Sequence, residues 1–141
     1  VTEVCASLAR QLVADAEGAS KDVRIEVVNA ATEDDAVEAG RAISRANLVK
    51  CAIHGGDPNW GRILAELGMT SAAFEPDAVD VAINGVWVCR DGATGEDRTL
   101  VDMSGREVTI TIDLRSGKES ATVWTNDLTA AYVHENSAYS T

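Results

Sequence analysis

At Pro76 the apolar residues of this 141-residue chain change their spacing. Before it they recur mainly every three or four residues, the stripe of a helix; after it they recur every second residue, the buried face of a strand. Helices concentrated early and antiparallel strands late point to an α+β architecture, with helices packed on a mixed or antiparallel sheet.

The early part begins with Val1, Val4, Cys5, Leu8, Leu12, Val13 and Ala16, which predict an amphipathic helix stopped at Gly18. Val23, Ile25 and Val27 alternate with charged residues and predict a strand. Thr32 followed three residues later by Asp35 has the form of a capping box, and Ala36, Val37, Gly40 and Ile43 carry a second helix towards Asn47. Leu48 to Ile53 is short and mostly apolar, so it reads as a central strand running into a turn at His54-Gly55-Gly56-Asp57-Pro58. Asp57 is the expected N-cap and Pro58 the first residue of a helix through Trp60 to Leu67, ended by Gly68.

Beyond Pro76, Val79, Val81 and Ile83 alternate up to Asn84-Gly85, a pair suited to the positive φ angles of a tight hairpin, and Val86-Trp87-Val88 returns. Arg90 to Arg98 is Gly-rich and polar and reads as a mobile surface loop. Val108, Ile110, Ile112 and Leu114 predict a further strand, and Ser116-Gly117 a turn joining it as a hairpin to Ser120–Thr125. Asp127 is positioned to cap a short final helix through Tyr132 and Val133. The expected organisation is a single domain or fragment over 1–141: helix-rich at 1–68, strand-rich at 78–125, with a terminal segment at 126–141.

Hydrophobic residues make up 45% of the chain, enough to close one core of this size. The net charge of −11 repels nucleic-acid phosphates and anionic membrane surfaces, so neither is an expected partner. The acidic residues are scattered, as on a solubilising surface. Cys5, Cys51 and Cys89 are odd in number and lie in apolar stretches, which suits reduced thiols and a cytoplasmic location. No apolar run approaches the roughly 18 residues of a membrane span. The absence of an initiator Met from a start that already reads as helix leads us to expect a fragment.

Candidate chemistry is sparse. His54, His134 and the three cysteines lack the short paired spacing of a closed zinc site, so no metal is expected. Cys51 lies three residues before His54 on the expected buried strand, which favours core packing over a catalytic thiol–imidazole pair. The stretch His54-Gly55-Gly56-Asp57-Pro58-Asn59-Trp60-Gly61-Arg62 is the richest in uncommon residues. It reads either as an anion site, with free N–H groups at a helix start and Arg62 beside them, or as a demanding turn with Trp60 as a core plug; the second reading is preferred.

Lys50 through Leu64, a run containing that stretch, resembles the signature of the bifunctional ornithine acetyltransferase and glutamate N-acetyltransferase family. Asp15-Ala16-Glu17-Gly18-Ala19-Ser20-Lys21 is similar to that family's Asp-Gly-Glu-Gly-Ala-Thr-Lys segment, with Ala16 in place of a glycine. Thr125–Thr129 and Tyr132–Thr141 resemble its C-terminus, so the matches bracket nearly the whole chain in family order.

The resemblance implies the C-terminal part of the β chain in a DmpA-like self-cleaving fold. A precursor cuts itself before a Thr, and the new terminal Thr carries acetyl from N-acetylornithine to glutamate, releasing ornithine, with acetyl-CoA a possible second donor and no other cofactor. The motif around that nucleophile is not in this sequence; Thr2 follows Val1 on a helical pattern without it. The resemblance therefore implies no catalytic nucleophile here, an inactive isolated chain, an α-chain partner from the same precursor, and a dimer of α/β heterodimers. It carries over three substrate-binding residues: Glu17, a carboxylate for a cationic ornithine nitrogen; Asn136, an amide able to donate and accept; and Thr141, a terminal hydroxyl. The alternatives are a self-cleaving aminopeptidase-like hydrolase and a noncatalytic acidic interaction module.

Overall fold

The structure is a computed structural model that describes residues 21–127. A six-stranded mixed sheet has β1 (Asp22–Ala30) near one edge and is followed in the chain by helices α1 (Glu33–Ser44), α2 (Asn47–His54) and α3 (Trp60–Leu67). The later strands are β2 (Asp80–Ile83), β3 (Val86–Arg90), β4 (Ala93–Thr94), β5 (Glu107–Asp113) and β6 (Glu119–Asn126), in the spatial order β4-β3-β2-β5-β1-β6.

The period of two sets the core face. Val23, Ile25 and Val27 stand beside Val108, Ile110 and Ile112 in the parallel β1–β5 register, and Ile110 and Ile112 stand beside Ile83 and Val81 across the antiparallel β2–β5 register. All eight are buried, so one apolar sheet face runs from β1 to β2. Ile43, Ile63 and Leu67 from the helices complete this core, each stabilising the fold by about 1.5–3 kcal/mol through burial. α1 lies close against the sheet: a Cβ at Gly40 would sit 2.8 Å from Val123 Cγ2, a separation only glycine permits without repacking. The Asn84-Gly85 hairpin forms as its sequence predicts, with φ of 49° and 84°.

At the start of α1, Thr32 caps the helix by accepting a bond from the Asp35 N–H at 3.0 Å. Only this half of the expected capping box forms, because the Asp35 carboxylate instead accepts from the Ala73 N–H at 3.1 Å. Replacing Thr32 by alanine is expected to cost about 1 kcal/mol in urea unfolding of the full-length protein, with serine recovering most of it.

Four expectations are corrected. Leu48–Ile53 is helix, not strand: Val49, Ala52 and Ile53 are buried while Leu48 and Cys51 face solvent, a helical spacing that a six-residue apolar run conceals. Cys51 is accordingly an exposed thiol rather than a core residue. The cap of α3 is Asn59, whose carbonyl accepts from the Arg62 N–H at 3.0 Å; Asp57 and Pro58 precede the helix. Strands β5 and β6 are not a hairpin, since β1 lies between them, parallel to β5 and antiparallel to β6. The connection passes over the end of β1, where the N–H groups of Ser116 and Gly117 both donate to Asn29 O, at 2.8 and 2.9 Å.

Within Arg90–Arg98 the chain forms a second tight turn at Asp91-Gly92 and the short strand β4 paired with β3. The expected helices at 1–16 and 128–133 lie outside the described residues.

Candidate functional site

Antiparallel pairing of β1 with β6 places Asp22 opposite Asn126, so the chain enters and leaves the described body at neighbouring points. The next residues, Lys21 and Asp127, meet: the Lys21 backbone N–H donates to Asp127 Oδ1 at 2.9 Å. The other carboxylate oxygen lies 3.0 Å from His54 Nδ1, and a carboxylate can only accept, so Nδ1 carries the hydrogen of that bond. Asp127 is fully buried, whereas the His54 ring is 43% exposed.

His54 reaches Asp127 because α2 buries Val49, Ala52 and Ile53 and ends beside the first residue after β6. A histidine in the last turn also lies where the helix carbonyls favour positive charge. Lys50 is one helical turn earlier; burial pushes its ammonium below the usual lysine range, and the negative charge of Asp127 opposes that shift. The Lys21 side chain donates to the carbonyls of Met103 and Gly105, at 2.7 and 2.6 Å, pinning the start of β1 to the segment before β5. Next to it Arg106 Nε donates to Asp22 Oδ2 at 3.2 Å.

The glycine-rich turn after His54 is held by its own bonds and by one to the preceding helix. Gly56 adopts a φ of 69°, the Asn59 side chain takes the Arg62 N–H, and Arg62 Nη1 donates to Leu48 O at 2.8 Å. The Arg62 backbone N–H is thus engaged within the turn, and one nitrogen of its guanidinium by the preceding helix. Trp60 packs against the edge of the core and remains partly exposed. A crevice nearby is lined by Ile53, Asp57, Ile63 and Met103.

Glu17, Asn136 and Thr141 all lie outside the described residues. The structure therefore describes the ends from which their segments depart, and those ends are joined through Asp127. Sequence reading assigned Asp127 only to helix capping and did not find its contacts with Lys21 and His54. These partners are 106 and 73 residues away, separations that no local motif records. Among the described residues no group of three or more His, Cys, Asp or Glu side chains is arranged to hold a metal, and no helix is long and apolar enough to cross a membrane.

The family model described as the ArgJ family matches residues 1–141. The chain is 69% identical over 140 residues to the arginine biosynthesis bifunctional protein ArgJ of Streptomyces avermitilis, covering 99% of this chain and 37% of that protein. To the protein of the same name from Thermobifida fusca it is 65% identical over 141 residues, covering 100% of this chain and again 37% of the relative. A crystal structure of arginine biosynthesis bifunctional protein ArgJ from Bacillus halodurans matches with a TM-score of 0.91 at 31% identity, covering 97% of this chain and 66% of that one. The chain spans little more than a third of the length of these curated relatives.

Proposed function

This chain belongs to the ArgJ family, and on that premise we propose that it is the substrate-holding C-terminal part of the β chain of an acetyltransferase in arginine biosynthesis. The family match over residues 1–141 carries this reading. The reaction is ping-pong acyl transfer. A Thr hydroxyl supplied by upstream sequence attacks the acetyl carbonyl of N-acetylornithine, the C–N bond breaks, and the departing ornithine amine takes up a proton. The amine of glutamate then attacks the acetyl-Thr ester, the C–O bond breaks, and the Thr hydroxyl regains its proton. Acetyl-CoA serves as an alternative donor, and no metal takes part.

In this scheme Glu17 pairs with the cationic side-chain nitrogen of the ornithine substrate, while Asn136 and Thr141 hold polar groups of the amino acids. The meeting of Lys21 with Asp127 supports such a shared site. Glu17 is four residues before Lys21, at most about 14 Å of chain, and Asn136 is nine after Asp127, at most about 32 Å, so both can reach a common point. The isolated chain is inactive, because its nucleophile belongs to the upstream sequence; the working enzyme is cytoplasmic and pairs this chain with an α chain of the same self-cleaved precursor, two such pairs assembling together.

The test is a product analysis of the full-length protein given N-acetylornithine and glutamate. Equal amounts of ornithine and N-acetylglutamate are expected; free acetate without N-acetylglutamate would indicate the hydrolase instead, and no turnover the noncatalytic module. A bulky peptide extension after Thr141 is expected to lower kcat/KM by roughly tenfold or more, since a misplaced binding group loses the geometry of reaction. Full activity of the extended protein would remove Thr141 from the site.

A further inference from the structure

We propose that Lys50 binds the α-carboxylate of the amino-acid substrates in acetyl transfer. This inference rests on the proposed function for the identity of those substrates: N-acetylornithine and glutamate differ in their side chains but share an α-carboxylate. None of Glu17, Asn136 and Thr141 has a positively charged side chain to meet that group. Among the described residues, Lys50 is a half-buried cation whose ammonium makes no hydrogen bond or ion pair.

The other described lysines and arginines differ from it in one of two ways. Some bond a carboxylate or a backbone carbonyl, as Lys21, Arg62 and Arg98 do; Arg41 and Lys118, which bond neither, stand exposed in water. An ammonium partly withdrawn from water loses hydration, and that loss is made good only by a hydrogen-bond acceptor or an opposite charge. Burial accordingly pushes Lys50 below the usual lysine range, and the charge of Asp127 opposes the shift without bonding the ammonium. A bound carboxylate would supply the missing acceptor through a charge-assisted bond. The surroundings hold the lysine in place for this. Val49 and Ile53, on either side of it in α2, are buried in the core. His54, one turn further on the same helix face, is 3.0 Å from Asp127, so Lys50 stands beside the point where the chain enters and leaves the described body. Asp127 accepts from the Lys21 N–H and from His54, and these bonds offset its negative charge towards an incoming anion.

The experiment measures kcat/KM of the full-length parent, K50M and K50R with two donors, N-acetylornithine and its α-carboxamide, in the presence of glutamate. Methionine keeps the length and apolar stem of lysine without its charge. In the parent, loss of the substrate carboxylate is expected to lower kcat/KM by about tenfold or more. In K50M the value for N-acetylornithine falls by a similar factor while that for the carboxamide stays near the parent's, so the two donors become equal within about threefold. K50R, which keeps a cation, retains most of the discrimination. A K50M protein that still discriminates by the parental factor overturns the proposal, as does a parent that does not discriminate; a purely structural role for Lys50 would change both donors alike. Either result leaves the acetyl-transfer reading standing, because the parent still makes ornithine and N-acetylglutamate. A parent that transfers acetyl from neither donor overturns that reading, and the role of Lys50 with it. Where K50M does not fold, carbamylation of Lys50 by cyanate in the parent decides, read by mass spectrometry of the peptide that contains it. Saturating ornithine is expected to slow the labelling and ornithine methyl ester to leave it unchanged; equal rates in both overturn the proposal.

Discussion

Alanine at Glu17 in the full-length enzyme is expected to raise the KM for N-acetylornithine by about 10- to 100-fold while leaving kcat within about threefold of the parent. A hydrogen bond to a charged group contributes about 1.5–3 kcal/mol, and each 1.4 kcal/mol is a factor of ten in binding. The proposed pair joins the carboxylate to the side-chain ammonium of the substrate, remote from the acetyl group that reacts. It is therefore equally strong in the bound substrate and in the transition state, and its loss appears in KM rather than kcat. Glutamate has no side-chain cation, so its KM should change less than about threefold. Glutamine at position 17, which keeps a hydrogen-bond acceptor without the charge, should fall between. Initial-rate measurements in which E17A binds N-acetylornithine as well as the parent would remove Glu17 from the site.

A second large effect is expected at the start of β2. Asp80 is 3% exposed and accepts the Asp91 N–H at 2.8 Å, Arg115 Nη2 at 3.1 Å and Arg90 Nη1 at 3.4 Å. Asp91 and Arg115 have φ of 52° and 48°, in the left-handed region that non-glycine residues occupy at a cost of about 1–2 kcal/mol each. Arg115 Nη2 also binds Asp91 Oδ1 at 2.7 Å, so Asp80 holds two strained turns together, one after β3 and one after β5. Breaking a buried pair by removing one partner costs about 3–5 kcal/mol. Because the two guanidinium groups are nearly half exposed and remain hydrated, D80A is expected at the lower end, about 3 kcal/mol, with D80N retaining about half of the lost stability. Urea unfolding of the full-length protein measures this; a cost below about 1 kcal/mol would show that the turns keep their conformation without the carboxylate.

Asp80 also illustrates where reading the sequence stops. Its place next to Val81 and Ile83 marked a strand, but β2 proved to be buried on both faces, and that put a charged side chain inside the molecule. Arg90 and Arg115 then became its partners from 10 and 35 residues away. The same limit applies to the candidate site. Glu17, Asn136 and Thr141 were reached through family resemblance, whereas the Asp127–Lys21 and Asp127–His54 bonds became visible only when β1 and β6 were paired. The α2 segment failed for a different reason: six apolar-rich residues fit a strand and a helix almost equally, and burial of Val49, Ala52 and Ile53 against the core selected the helix.

Local chemistry specified the core-facing alternation of Val23–Val27 and Val108–Leu114, the Asn84-Gly85 hairpin, the Thr32 cap and the span of α3, because periodicity, positive φ and side-chain capping act over a few residues. Insertion of β1 between β5 and β6 and convergence of residues 21, 54 and 127 came from assembly. Neighbouring strands are chosen by which apolar faces close the core together, and that choice is made among segments whose separation in the chain leaves no trace in local spacing.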